Sequence, residues 1–60
     1  MKGLRKILHD RGLKHSWLAN QLGIDKPKMS RLINGKQKAS VSEIFMICHL
    51  LECEKDDLYT

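Results

Sequence analysis

The sequence predicts an all-α fold, a compact bundle of four to five helices with a helix-turn-helix at about residues 15–34. Three observations lead there. Apolar residues recur at three- and four-residue spacing, as in Leu4, Ile7 and Leu8 or Met29, Leu32 and Ile33. β-branched and aromatic residues are sparse, with one Trp, one Tyr and one Phe, and no alternating run suggests a strand. Gly12, Gly23 and Gly35 each follow an apolar-periodic segment, the position where a helix stops in a left-handed turn.

The elements follow in order. Leu4, Ile7 and Leu8 mark a first helix near residues 2–11, stopped by Gly12. A second helix covers roughly 15–22, with Leu18, Ala19 and Leu22 inward and Gly23 closing it. Its start has two readings: Lys14 is a poor N-cap, and Ser16 is the alternative. Asp25 caps a third helix near 26–33, with Pro27 in the first turn, where a missing N–H has no intrahelical partner to lose. Met29, Leu32 and Ile33 face the core, and Asn34-Gly35 ends that helix. After a basic loop over 35–39, Ser40-Val41-Ser42-Glu43 is a capping-box start for a fourth helix. That helix runs to about Leu51, with Val41, Ile44, Ile47, Cys48 and Leu51 inward. A last short helix near 55–59 buries Leu58.

With no linker, repeat or low-complexity segment, residues 1–60 read as one domain around one small core. A chain of this length buries only about 60% of the surface its unfolded form exposes, which disfavours a large catalytic cleft. Charge is unevenly spread. Residues 1–38 hold ten basic side chains against Asp10 and Asp25, whereas residues 39–60 hold Lys55 against five acids. One end of the chain therefore suits a polyanion and the other repels it.

Other classes find little support. Cys48 and Cys53, five apart on or near one helix, are expected to point in different directions as buried free thiols, with no disulfide framework. Free thiols, the lack of a signal-peptide apolar segment and the lack of a membrane-length run lead to an expectation of a cytoplasmic protein without membrane partners. His9, His15, His49, Cys48 and Cys53 show no paired close spacing of the kind structural zinc uses, so no metal site is expected. No Gly-rich phosphate loop, nucleophile motif or convincing acid pair marks a catalytic site, and neither a cofactor nor a small-molecule ligand is expected.

The third helix carries the functional signal. At 100° per residue, Pro27 and Arg31 lie almost opposite Met29, Leu32 and Ile33. Ser30 and Asn34 flank them on one side, Lys28 on the other, and Lys26 projects from the N-terminal end. No acid interrupts that face. Arg and Lys can donate to guanine O6 and N7, Ser can donate or accept, and a Pro ring can pack on a thymine methyl. Lys36, Gln37 and Lys38 beyond the helix, and Lys14, His15 and Ser16 at the start of the second helix, sit where DNA phosphates would pass.

These residues give the chain a family resemblance. Leu18-Ala19, Leu22-Gly23-Ile24, the cap Asp25, Ser30-Arg31 and Asn34-Gly35-Lys36 resemble the lambda-repressor-like helix-turn-helix family, also called Cro/repressor or XRE-type. Ser40-Val41 and Asp56-Asp57-Leu58 extend the resemblance over nearly the whole chain. It implies a five-helix lambda-repressor-like fold, with the third helix in the major groove of double-stranded DNA. It also implies a homodimer on a palindromic operator, and, with no residues left over for ligand sensing, the transcriptional regulator is expected to be phage- or prophage-like. By that resemblance Lys26, Pro27, Lys28, Ser30 and Arg31 read bases, while Lys14, His15, Ser16, Asn34, Lys36 and Lys38 meet phosphates.

Three positions depart from the family pattern. Leu8 and Ile33 stand where many members pair an Arg with a Glu, an exchange that well-packed apolar side chains can make at little cost. His15 replaces a frequent Gln, and Glu52 replaces a Gly that often follows the fourth helix, so a different helix end is expected there. Trp17 has two readings, as a core-rim residue or as a contact to a partner. Phe45 and Met46, beside the core stripe, read as half-buried surface residues first and as a docking patch second, and Tyr59 is either a dimer contact or a C-terminal plug. The alternative function is a helix-turn-helix protein-interaction module that does not read DNA directly.

Overall fold

The computed structural model describes all 60 residues as five helices and no strand. They are α1 (Lys2–Asp10), α2 (His15–Leu22), α3 (Lys26–Ile33), α4 (Val41–Leu51) and α5 (Lys55–Tyr59). The principal packings are α1 on α5 and α2 on α3, with α2 on α4, α1 on α3 and α4 on α5 closing the bundle. One core cluster joins them all: Leu4, Leu8, Leu18, Ala19, Met29, Leu32, Ile33, Ile47, Leu51 and Leu58. None of the ten is more than 3% exposed, and no polar residue is buried among them. Leu8 and Ile33 both belong to this core, so the two positions that depart from the family pattern are both buried and apolar.

Four helices end in the same way, and the reason is hydrogen bonding. The last carbonyls of a helix lack partners, and a left-handed residue just past the end folds the chain back to satisfy them. Leu13 N donates to Leu8 O, Ile24 N to Ala19 O, Lys36 N to Arg31 O and Cys53 N to Cys48 O, each a six-to-one closure. Gly12, Gly23 and Gly35 supply the left-handed residue of the first three, at φ 66°, 70° and 75°. Glu52 supplies the fourth at φ 51°, the only non-glycine at positive φ. The replacement of Gly by Glu52 therefore leaves the end of α4 unchanged in kind, contrary to the expectation of a different end. It forces an L-residue into a conformation that suits glycine.

The same closure corrects the reading of the cysteines. In this motif the residue after the left-handed one meets the residue five positions back, here Cys53 against Cys48. Both are free and half-buried, and their thiols are near enough to act on one another, so they do not diverge as expected. Burial, followed by the neighbouring Cys48, pushes the Cys53 thiol pKa up.

Two further expectations change. Val41 is 85% exposed, because it is the first residue of α4 and lies beyond the edge of the core that Ile47 and Leu51 enter. Phe45, one turn later on the same face, is 72% exposed, so it is not half-buried beside the core stripe. Met46 and Tyr59 are partly exposed, at 42% and 50%. Trp17, by contrast, packs half-buried against the core cluster, as the core-rim reading requires.

Close approach sets the α1–α5 joint. Gly3 is buried, and a Cβ built on it would lie 1.9 Å from the carbonyl oxygen of Asp57. Only a residue without a side chain lets α5 come this near. Arg11, just past α1, donates from Nη1 to the Leu51 carbonyl at the end of α4, placing a cation where the helix dipole is negative.

Candidate nucleic-acid interface

The angle between α2 and α3 is fixed from three directions. Gly23 makes the left-handed turn, Ile24 is half-buried against the core, and Asp25 caps α3 by accepting from Lys28 N at 2.9 Å. Pro27 falls in the first turn of α3, where its ring is compatible with the helix. Met29, Leu32 and Ile33 then anchor one face of α3 in the core. The opposite face has nowhere to go but solvent. Lys26, Pro27, Ser30, Arg31 and Asn34 are all exposed.

The first turn of α2 lies beside this face. Lys14 is the N-cap residue, in an extended conformation with no side-chain cap bond, and Ser16 sits inside the helix instead of capping it. A surface cleft of about 310 Å³ is lined by His15 and Ser16 of α2 and by Lys26, Met29 and Ser30 of α3. The cleft brings two predicted phosphate residues together with two predicted base-reading ones. Lys36 and Lys38 are exposed in the loop beyond α3.

Internal bonds hold several of the polar side chains. Asn34 Nδ2 donates to Ser30 Oγ at 3.2 Å, and Asn34 Oδ1 accepts from Arg5 Nη2 of α1. The Asn34 amide is thus occupied on both sides. Because Ser30 Oγ already accepts, its own hydroxyl proton is left to donate outward. Arg31 Nε donates to Gln37 Oε1 at 2.9 Å. Lys28, half-buried, places Nζ 3.0 Å from Glu43 Oε2. Glu43 also closes the α4 capping box: Ser40 N donates to its Oε1 at 2.8 Å, and Glu43 N donates to Ser40 Oγ at 3.1 Å. The Ser40 backbone bond, more than Lys28, holds the Glu43 carboxyl below its ordinary pKa of 4.5.

The chain that presents this helix matches the family model of the Cro/C1-type helix-turn-helix DNA-binding domain over residues 3–60. The chain belongs to that family. No curated protein and no solved structure matches it.

In this Cro/C1-type domain the cleft between α2 and α3 brings His15, Ser16, Lys26 and Ser30 together, while Lys14, Pro27, Arg31, Lys36 and Lys38 are exposed around it or beyond it in the chain. Lys28 and Asn34 have side-chain partners of their own. Sequence reasoning gave Arg5 and Glu43 no part in the surface, and it placed Gln37 in the phosphate-facing loop without its bond to Arg31. Gln37 was within reach, since a left-handed Gly35 returns the following residues to the last turn of α3, where Arg31 stands. Glu43 was legible as a cap, although its approach to Lys28 depends on how α4 crosses α3. Arg5 carried no signal beyond its charge.

Proposed function

We propose that this DNA-binding domain is a sequence-specific transcriptional regulator that inserts α3 into the major groove. Lys26, Pro27, Ser30 and Arg31 face the bases, with Lys28 joining them when it leaves Glu43. Lys14, His15 and Ser16 at the open start of α2, together with Lys36 and Lys38, meet phosphates on either side. Asn34 acts at one remove, holding Ser30 and the guanidinium of Arg5 at the edge of the surface.

The observation that carries this reading is the division of α3 into two faces. Met29, Leu32 and Ile33 are at most 3% exposed, while Lys26, Pro27, Ser30 and Arg31 are presented to solvent by a helix that cannot rotate without emptying the core. Such a rod positions side chains as base recognition demands.

One domain covers one half-site. The regulator acts as a homodimer on a palindromic operator, with half-sites about 34 Å apart. Val41 and Phe45, exposed one turn apart on α4, offer an apolar surface to the second copy. Selection of bound sequences from a random duplex pool at two salt concentrations tests the proposal. An inverted-repeat motif whose affinity falls steeply with salt is expected. A complex that ignores duplex DNA and is insensitive to salt, formed with another protein through the Phe45 face, would instead favour the interaction-module reading.

A further inference from the structure

We infer that Gln37, outside the helix-turn-helix, is a positioning residue that sets which edge of the Arg31 guanidinium is offered to a base. The inference rests on the proposal that α3 reads the major groove. Gly35, at φ 75°, turns the chain back on the end of α3. Lys36 N and Gln37 N both donate to the Arg31 carbonyl, at 2.9 and 3.3 Å. Gln37 is thereby fixed at its backbone against the turn that carries Arg31, and its side chain is half-buried while its neighbours Lys36 and Lys38 are exposed. From that position its Oε1 accepts from Arg31 Nε at 2.9 Å.

The consequence is geometric. A guanidinium has five N–H donors in a planar fork. With Nε–H taken by Gln37, the pair left for an outside partner is the terminal one, Nη1 and Nη2. Two parallel donors fit two coplanar acceptors, and in the major groove that pair is guanine O6 and N7. An unheld arginine would sample many rotamers and either donor edge, and ordering it on binding would weaken the contact. Gln37 therefore favours guanine at one position of each half-site without touching the base itself.

Two measurements test this on the 60-residue protein. The first follows the Arg31 Nε–H by proton–nitrogen NMR in the free protein. It should be shifted from the free-arginine position and slow to exchange in the native protein and in Gln37→Glu, which keeps the acceptor. It should collapse to the free position in Gln37→Ala. The second repeats the duplex selection. Arg31→Ala locates the base pair that Arg31 reads. Gln37→Ala should lower discrimination at that pair by about 3- to 10-fold, beyond any even loss it causes on all duplexes. Gln37→Glu should keep the discrimination and weaken all duplexes, because it adds a negative charge. An unshifted Nε–H in the native protein overturns the inference. So does a Gln37→Ala motif that is unaltered or weakened evenly at every position. If the native protein enriches no sequence, the proposed function fails and takes this inference with it.

Discussion

Lys28 Nζ lies 3.0 Å from Glu43 Oε2, so a basic side chain of α3 is fastened to the first turn of α4. The pair does two opposing things. It braces α3 against α4, and it keeps one cation of the reading face beside an acid. Replacing Glu43 by Gln preserves a capping-box side chain while removing that acid. Glu43→Gln should bind duplex DNA more tightly and with a steeper salt dependence, because an acid leaves the reading face and Lys28 is released to the DNA. Titrations at several salt concentrations check this; an unchanged slope would mean that Lys28 stays off the DNA.

Glu43 also predicts a pH response. Its folded pKa is lowered below 4.5, first by the Ser40 backbone bond. The carboxylate form therefore stabilises the fold above the ordinary carboxylate pKa, and that contribution is lost as pH falls through the lower folded value. Denaturant midpoints of the native protein should drop below about pH 4.5 by more than those of Glu43→Gln, which has no proton to gain. Parallel curves for the two proteins would remove Glu43 from the explanation.

At the α1–α5 joint, Gly3→Ala places a methyl 1.9 Å from the Asp57 carbonyl oxygen. Backbone cannot step aside as a flexible side chain would, so α5 must lift and Leu58, now fully buried, must be partly uncovered. A loss of about 1–3 kcal/mol is expected. In urea the midpoint should fall and hydrogen exchange should quicken first in α5.

Glu52 offers the converse. At φ 51° it does what Gly12, Gly23 and Gly35 do at the ends of α1, α2 and α3. A left-handed conformation costs an L-residue roughly 1–2 kcal/mol relative to its favoured one. Glu52→Gly should raise stability by about 1 kcal/mol, less than the full strain because glycine also gains freedom in the unfolded chain. A lower thermal midpoint in Glu52→Gly would show that the Glu52 side chain contributes more than its backbone loses.

Most of the fold was legible because its punctuation is local. Gly12, Gly23 and Gly35, the caps Asp25 and Ser40, and the apolar spacing of Leu4, Leu8, Leu18, Met29, Leu32 and Ile47 depend only on neighbours in sequence. The errors have a common cause. Val41 shares the helical phase of α4 but lies past the edge of the partner helices, and periodicity does not say where a core ends. Cys48 and Cys53 were judged by helical phase, although the left-handed Glu52 between them folds the chain back. In the candidate site, α3 displayed its free face in the sequence. Its wiring did not appear there: Asn34 to Arg5 spans α3 to α1, and Lys28 to Glu43 spans α3 to α4, distances set by tertiary packing.

The central claim is that the outward face of α3 reads base sequence while Lys36, in the loop beyond it, holds the phosphate backbone. It is tested most directly by measuring Arg31→Ala and Lys36→Ala on the selected operator and on random duplex, side by side. The account predicts that Arg31→Ala loses about 1–3 kcal/mol on the operator, relaxing preference at one base pair per half-site, with little change on random duplex. Lys36→Ala should weaken both duplexes alike. Equal losses for the two variants on both duplexes would contradict the account.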